Sequence, residues 1–323
     1  AAYAHTDGHA KGLALVTAGH SFSRKLVRTP DDADVSLRVY VTSTGSSSLE
    51  VRTDALANGV LRNFCHTTMV AVDAATLKPV KGAVPPLVLE TADDSERLEL
   101  AKQHAAIRRR RANDSVSLFA PKLSKPPTQD EMAAIHELHR RYVLRNDAEH
   151  VPVSQHTHSD AFVVFPEARN VHGKTFGGYA LAQAFDLAYF AASVFARGRP
   201  LASLGLDEAN FLHPVSIGDH IKVTARVVHV CSTSGVFRVS VNITQLDTSS
   251  SSEEAASGGR LLRTNFLRFL FASEPDHLDA VLPETYEEIL GHVAAARRHA
   301  EEPITDVTRA HLDAFFAGRA ASD

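Results

Sequence analysis

Two adjacent glycines, Gly177 and Gly178, stand directly before a long apolar segment that runs from Tyr179 to Phe195. Glycine carries no side chain, so backbone N–H groups at this corner can approach a ligand closely. The first N–H groups of a helix have no partner inside it, and the helix dipole adds partial positive charge there. The corner is therefore predicted to hold an anion, or an oxygen that becomes negative during a reaction. The alternative is a packing role, where helix and sheet come close.

Asp186 is the only charged residue between Lys174 and Arg197, and it lies within the apolar segment. A carboxylate on an apolar helix is costly to bury unless it has a partner. One interpretation is therefore an ion pair or hydrogen bond across an interface. The other is a general base, its pKa raised by burial, that activates water. The sequence leaves both open.

Three polar residues in the loop before the glycines are candidates for the site. Asn170 is predicted to shape the loop through an Asx turn, with orientation of a water molecule as the alternative. His172 is either a hydrogen-bonded loop residue or a substrate contact, and a chain with 18 histidines does not favour one of these. Lys174 cannot accept a proton from water while it is protonated.

Charge and cysteine content exclude several functional classes. The net charge is −4, and 22% of the residues are charged, which is no footprint of nucleic-acid binding. The two cysteines, Cys65 and Cys231, have neither a disulfide framework nor zinc spacing, which fits a reducing compartment. His156 and His158 lie two positions apart without a matching carboxylate or cysteine, so no metal site is predicted.

The elements that must position these residues follow a pattern that occurs twice. In the second copy, a helix at 177–196 precedes several segments with alternating apolar residues, which predict strands. Because Asp186 interrupts its apolar run, this helix is predicted to be a core helix and not a membrane span. The predicted strands are Leu201–Phe211, His220–Cys231, Gly235–Gln245 and Arg260–Phe271, and the Ser-rich stretch Asp247–Gly259 is predicted to be a loop.

The first copy has the same order in weaker form. Lys11–Val27 is predicted to be its helix, and Val35–Thr42, Leu49–Leu56 and Val60–Val72 its strands. This helix has no glycine pair and no carboxylate, so the first half is expected to be degenerate as a site. His20 within it is interpreted as a core histidine with its hydrogen bonds satisfied.

Helices are also predicted between the copies and after them, at Asp93–Arg111, Gln129–Val143 and Glu284–Glu302. This divides the chain into a first repeat at 1–92, a helical connector at 93–150, a second repeat at 151–275 and a helical tail at 276–323. One long helix followed by several strands, twice over, predicts an α+β fold in which each sheet curls around one helix. A doubly wound sheet would need helices and strands in alternation.

Asn170-x-x-Gly173-x-x-Phe176-Gly177-Gly178 before an apolar helix resembles the hotdog-fold acyl-CoA thioesterases, and so does Phe211-x-x-Pro214-Val215-x-x-Gly218-Asp219. The second half, connector and tail are similar to the mitochondrial acyl-CoA thioesterase 9 type, which carries two hotdog repeats in one chain. The resemblance implies a tandem (double) hotdog, its two bent sheets paired edge to edge. Because the chain does not begin with Met, we expect a processed or truncated start.

The resemblance further implies hydrolysis of acyl-CoA to free acid and CoA, with no cofactor beyond the CoA of the substrate. A backbone N–H of Gly177 or Gly178 would polarise the thioester carbonyl, and Asp186 or a group from the first repeat would activate water. Lys174, Arg108 and Arg109 would contact CoA phosphates, although the arginines also fit a solvated helix end. The family implies a mitochondrial matrix location and an oligomer of double hotdogs.

A second function of a different class is compatible with the same residues. Many relatives have Asp or Asn where this chain has Lys174, and the first half lacks a recognisable site. The alternative is therefore a catalytically silent hotdog protein that serves as a structural or assembly subunit of a larger mitochondrial complex.

Overall fold

A computed structural model provides the three-dimensional structure. It describes residues 1–8, 11–25, 32–88, 125–145, 150–170, 173–247, 260–301 and 306–320, with a few single positions between 95 and 106. Arg108, Arg109 and His172 lie outside the described residues, as do most of the predicted helix Asp93–Arg111 and the predicted loop from position 248 onward.

Five α-helices and eleven strands are formed by the described residues. The helices are α1 (Ala2–Thr6), α2 (Gln129–Arg145), α3 (Gly177–Phe195), α4 (Tyr286–Glu301) and α5 (Asp306–Ala320). The strands of the first half are β1 (Leu13–Lys25), β2 (Val35–Thr44), β3 (Ser48–Ala57) and β4 (Val60–Asp73). The remaining strands are β5 (His150–Pro152), β6 (Thr157–Val163), β7 (Ala202–Phe211), β8 (His220–Cys231), β9 (Val236–Asp247), β10 (Arg260–Ala272) and β11 (Ala280–Leu282).

Nine strands form one sheet in the order β2-β3-β4-β1-β7-β10-β9-β8-β6. The central pair is β1 and β7. Going outward, β1 is followed by β4, β3 and β2, and β7 is followed by β10, β9 and β8, so the two sides have the same arrangement. The central pair is antiparallel, with Gly19 opposite Asn210 and His20 opposite Ala209. The predicted edge-to-edge pairing of two half-sheets is confirmed, and we call the β1–β7 pair the seam.

The predicted helix Lys11–Val27 is wrong, because this segment forms strand β1. Leu13, Val16 and His20 happen to fall near helical spacing, but β1 lies in the middle of the sheet. Strand β4 pairs with one edge of β1 and β7 with the other, so backbone groups along both edges are satisfied by neighbouring strands. Tertiary pairing thus overrides a weak local pattern.

Helix α3 is the centre of the second half, and its bounds agree with the prediction to within one residue. Its inner side consists of alanines and Phe195, all sealed from solvent, and it packs against β8, β9 and β10. Alanines let the helix approach the sheet closely, which allows the sheet to curl around it. Within the described residues, no helix combines the length and apolarity needed to cross a bilayer.

The first half differs from the second on the inner face of its sheet. In the described residues, the helix that precedes β1 is α1, which has only five residues. Among the described residues of this half, α1 therefore stands where the second half has its long helix. Its core is a smaller cluster, made by Ala2, Leu15, Leu49, Val51, Ala71 and Val84.

Most other predicted elements agree with the structure. The bounds of β8 are as predicted, and β2, β3, β4, β7, β9, β10 and α2 differ from their predictions by a few residues. The tail helix is α4, whereas α1, α5, β6 and the short parallel pair β5–β11 were not predicted.

Helix α4 covers the outer face of the second half-sheet through buried charges. Arg238 donates from Nε to Asp207 Oδ2 over 3.0 Å, and both side chains are sealed from solvent. Arg298 of α4 donates to Glu208 Oε2 over 2.9 Å, and Arg268 lies 3.5 Å from the same oxygen. Burying these charges is tolerable because each carboxylate has a guanidinium partner.

Three histidines share this covered face. His229 of β8 lies beside His292 and His299 of α4, with ring centroids 5.4 and 5.6 Å away. Burial is the largest cause that lowers the pKa of each histidine, and His229 also faces Arg238 and falls to about 2. All three rings are therefore neutral at physiological pH.

Acidification is expected to destabilise the fold through these rings. The unfolded chain takes up protons on histidine below pH 6.5, whereas the folded chain does not until the lowered pKa is reached. The stabilisation is therefore complete above pH 6.5 and declines below it. For His229 alone the loss at one pH unit below 6.5 is about 1.4 kcal/mol. The free energy of unfolding, measured with urea between about pH 5 and 7, should depend less steeply on pH in His229→Leu than in the wild type.

The exposed His277 is the matched control for this experiment. His277→Leu should retain the wild-type dependence on pH. If the unfolding free energy of His229→Leu depended on pH as steeply as that of the wild type, the proton-linked role of that ring would be contradicted.

Gly19 permits the close approach of β1 to β7. A Cβ added there would lie 2.6 Å from the carbonyl oxygen of Ala209, which belongs to the paired backbone and cannot move aside cheaply. Gly19→Ala is therefore expected to destabilise the seam by about 1–3 kcal/mol. The matched control is Gly291→Ala in α4, where the new Cβ would be 3.9 Å from Val228 Cγ1. Thermal unfolding of both variants tests this, and equal midpoints would contradict it.

Candidate active site

The loop before α3 is closed by Asn170. Its backbone N–H donates to the Lys174 carbonyl over 2.6 Å, and its Oδ1 accepts from the Lys174 N–H over 3.0 Å. Its Nδ2 donates to the Thr175 carbonyl over 3.3 Å. Gly173 has a φ of 75°, a left-handed conformation that glycine adopts without strain. These bonds support the loop-shaping interpretation of Asn170.

The turn after β7 holds this loop in place. The Thr175 N–H donates to the Val215 carbonyl over 2.9 Å, and Lys174 Nζ donates to Ser216 Oγ over 2.9 Å. The Ser216 N–H in turn donates to Asp219 Oδ2 over 2.7 Å. The two sequence motifs are therefore one hydrogen-bonded unit. Lys174 is half-buried within this unit.

Gly177 and Gly178 begin α3 without a cap. Phe176 is the N-cap and provides no side-chain hydrogen bond, and the first helical bond runs from the Tyr179 N–H to the Phe176 carbonyl. Among the described residues, the N–H groups of Gly177 and Gly178 have no acceptor. Two free donors and the positive end of the helix dipole can bind a carbonyl oxygen that gains negative charge.

Neighbouring aromatic rings explain why side chains are absent here. A Cβ on Gly177 would lie 3.3 Å from the Phe211 ring, and a Cβ on Gly178 would lie 2.4 Å from the Phe176 ring. Phe211 is the last residue of β7, so the start of α3 lies against a residue of the seam strand. The packing and ligand-binding interpretations of the glycine pair are compatible, since the same missing side chains serve both.

His20 of the first half contacts the same Phe211 ring from across the seam. Its ring meets the Phe211 ring edge-on with centroids 5.8 Å apart, and its Nδ1 lies 2.8 Å from Thr67 Oγ1. Burial lowers the pKa of His20. Sequence reasoning assigned it to a helix and a core; the adjacent β-branched pair Val16-Thr17 was the available signal for a strand.

Asp186 does not join this group of residues. It lies on an exposed side of α3, so the predicted burial is wrong. The nine-residue separation from Gly177 corresponds to about 13 Å along the helix axis. A carboxylate at that distance cannot activate water at a carbonyl bound to the glycines. Asp186 instead belongs to what we call the open face of α3, with Ala182, Tyr189, Phe190 and Val194, all exposed.

The remaining candidates are not brought to the corner. His156 lies edge-on against Phe195 and His158 against Phe190, at or near the far end of α3. No group of three or more His, Cys, Asp or Glu side chains with the geometry to hold a metal ion occurs in the described ranges. His172, Arg108 and Arg109 lie outside these ranges. The structure thus brings together Asn170, Lys174, Gly177 and Gly178, and adds His20, Thr67 and Phe211.

Comparison with known proteins places these features in one family. The sequence pattern of the thioesterase superfamily matches residues 172–248. Mitochondrial acyl-coenzyme A thioesterase 9 of Bos taurus is 26% identical over 279 residues, which cover 82% of this chain and 59% of that protein. The acyl-CoA thioester hydrolase YkhA of Bacillus subtilis, described as uncharacterized, is 30% identical over 139 residues, covering 42% of this chain and 75% of YkhA.

A solved structure from Lactobacillus plantarum, described as a putative oleoyl thioesterase, aligns over 83% of this chain and 79% of its own, with a TM-score of 0.48 and 10% identity. The chain spans about three fifths of the length of the Bos taurus relative. The match to YkhA, the superfamily pattern that includes the glycine corner, and the antiparallel sheet curled around α3 lead to one conclusion: the chain belongs to the thioesterase superfamily and has the hotdog fold.

Proposed function

We propose that the protein hydrolyses acyl-CoA thioesters to a free acid and CoA. The observation that carries the proposal is the pair of N–H groups at Gly177 and Gly178, which have no acceptor among the described residues and lie against a residue of the seam strand in a thioesterase-superfamily chain. The substrate class follows the names of the relatives, which are thioesterases and a thioester hydrolase. These names do not favour the alternative of a silent structural subunit.

The reaction needs hydrogen-bond donors that stabilise negative charge on the carbonyl oxygen, and a base that takes a proton from water. The thioester carbonyl oxygen accepts hydrogen bonds from the glycine corner, which polarises the carbonyl carbon. Water attacks this carbon, and a base takes one proton from the water. The C–S bond then breaks, and the CoA thiolate leaves and takes up a proton. Because Asp186 is about 13 Å away along α3, the base at this corner has to come from elsewhere, and we place it in the first half.

Other residues have supporting roles in this proposal. Asn170 acts by holding the loop that orients the glycines, and His172 in the same loop is a proposed substrate contact. Lys174 is engaged by Ser216 in the structure, and its ammonium group, with Arg108 and Arg109, is proposed to meet CoA phosphates. The CoA moiety enters as part of the substrate, and no further cofactor is proposed.

The acyl chain requires an apolar surface that is reachable from the corner. The open face of α3 offers this surface, because Tyr189, Phe190 and Val194 are 43%, 54% and 43% exposed. Burying alkyl groups against these side chains yields about 25 cal/mol per Å². We therefore propose that the chain lies along the open face, where Asp186 could act only on a thioester held away from the corner.

Location and assembly are proposals based on relatives and fold. The Bos taurus relative is mitochondrial by name, which supports a mitochondrial location for this protein, in the matrix. The exposed apolar open face supports association into an oligomer of double hotdogs or with a larger complex.

Gly178→Ala is expected to lower kcat for acyl-CoA hydrolysis by about 100-fold or more. The new methyl group would displace the Phe176 ring at the start of α3, where the N–H donors lie. Phe176, the ring it would meet, is 60% exposed and can turn away, so the fold should survive. A thiol-reactive dye that reports released CoA provides the measurement. Gly291→Ala is the matched control, and equal rates in the two variants would exclude the corner as the site.

A double-mutant cycle tests whether Asp186 acts at the same thioester as the corner. The distance along α3 predicts that Gly178→Ala slows hydrolysis at least as much in an Asp186→Asn background as in the wild type. If the effect of Gly178→Ala disappeared in that background, the two groups would act on one thioester, and the separation argued here would be wrong.

A further inference from the structure

We propose that His20 of the first half is the catalytic base for hydrolysis at the Gly177–Gly178 corner, with Thr67 holding its ring in the required tautomer. The inference rests on the proposed function and assigns one of its roles to a named residue. It also implies that the active site is shared between the two halves and is incomplete without the first.

Strand pairing brings His20 to the corner. His20 is opposite Ala209 across the seam, and Phe211 follows two positions later on the same face of β7. Ala209 is sealed in the core beneath α3, and Phe211 packs against this core. The His20 side chain therefore projects from the inner face of the sheet, on the side of α3. Its ring meets Phe211, and Phe211 lies against Gly177, so one aromatic ring separates the imidazole from the helix start.

The two ring nitrogens of His20 have different environments. Nδ1 is bonded to Thr67 Oγ1 at 2.8 Å. Nε2 has no hydrogen-bond partner among the described residues, and it is not one of the side-chain atoms that are sealed from solvent. If Nδ1 carries the proton and donates it to Thr67, Nε2 has a free lone pair that can accept a proton from water.

Thr67 Oγ1 can accept that bond while its own hydroxyl hydrogen points to a second neighbour. Cys65 Sγ lies 3.8 Å from Thr67 Oγ1, a distance suited to a hydrogen bond with sulfur. Burial is the largest cause that raises the pKa of Cys65, so the group remains a thiol at neutral pH. The chain of contacts from His20 through Thr67 to Cys65 thus orients the imidazole in the way a base requires.

None of the described residues that contact His20 or pair with it is a second base. They are Thr67 of β4, whose hydroxyl lies beside Nδ1, and Ala209 and Phe211 of β7. Burial is the cause that lowers the pKa of His20, so the ring is neutral at physiological pH. Asn265 is opposite Phe211 on β10 and is buried, but a carboxamide does not take up a proton from water.

The proposed step balances with water as the only co-reactant. The water oxygen bonds to the carbonyl carbon while His20 Nε2 takes one of its protons. The carbonyl oxygen becomes negative and is held by the glycine N–H groups. When the carbonyl forms again, the C–S bond breaks, and the imidazolium returns its proton to the departing thiolate.

His20→Gln and His20→Ala are the variants that test the assignment. Loss of a general base is expected to lower kcat by about 100-fold or more, while KM changes little. The wild-type rate should fall at acid pH as Nε2 becomes protonated, at a pH below 6.5 because burial lowers the pKa of the ring. This acid limb should be absent from the residual activity of both variants. His277→Gln, at an exposed position in the second half, is the matched control.

Thr67 provides an independent test of orientation. Thr67→Val removes the partner of Nδ1 and should lower kcat by less than His20→Gln does. Thr67→Ser keeps a hydroxyl and should restore the rate, which a merely structural role of the threonine methyl group would not allow. Near-ultraviolet circular dichroism and unfolding midpoints verify that each variant is folded.

The outcomes separate this assignment from the proposed function. If the wild type releases CoA and His20→Gln does so within about threefold with the same acid limb, only the role of His20 is overturned. If the folded wild type releases no thiol from any acyl-CoA, the proposed function falls, and the role of His20 falls with it. If both His20 variants lose the rate and the limb while His277→Gln keeps them, the assignment is supported.

Discussion

The antiparallel pairing of β1 with β7 is the constraint on which the rest of the structure depends. It joins two half-sheets into nine strands and covers edges that would otherwise be open to another chain. The pairing needs Gly19, because any Cβ there would meet the Ala209 carbonyl. It also sets the register that brings His20 to Phe211. The site is therefore a property of the joined halves, and either half alone would lack part of it.

The glycine corner acquires its position from two motifs that are distant in sequence. Hydrogen bonds from Lys174 and Thr175 to the turn at Val215–Ser216 anchor the loop, and Asn170 closes it. Helix α3 then runs into the core on its alanine side, which leaves its first N–H groups at the surface of the seam strand. The first N–H groups of a helix have no acceptor within it, and at this corner no described residue supplies one, so both donors are available to a ligand.

Local pattern predicted the second half well for physical reasons that can be named. The alternation of Ile221, Val223, Ala225 and Val227 has one buried face, and β8 begins and ends as predicted. The same approach failed at β1, where strand pairing on both edges outweighed an accidental helical spacing. It also failed for the burial of Asp186, because an apolar helix can be covered on one side only. Solvent exposure depends on what lies opposite, and periodicity carries no information about that.

Residue types and spacing were sufficient to identify the glycine corner, the loop-shaping Asn170 and an α+β fold with a curled sheet, because these depend on neighbours in sequence. His20 was visible as a histidine but not as a member of the site. Its partners Thr67, Ala209 and Phe211 lie on two other strands, and only the register of those strands brings them to the imidazole. The outer-face pairs between Asp207, Arg238 and α4 are of the same kind. Which strands pair, and in which register, depends on the packing of the whole sheet. Every strand offers the same backbone N–H and C=O groups, so local sequence does not select the partner.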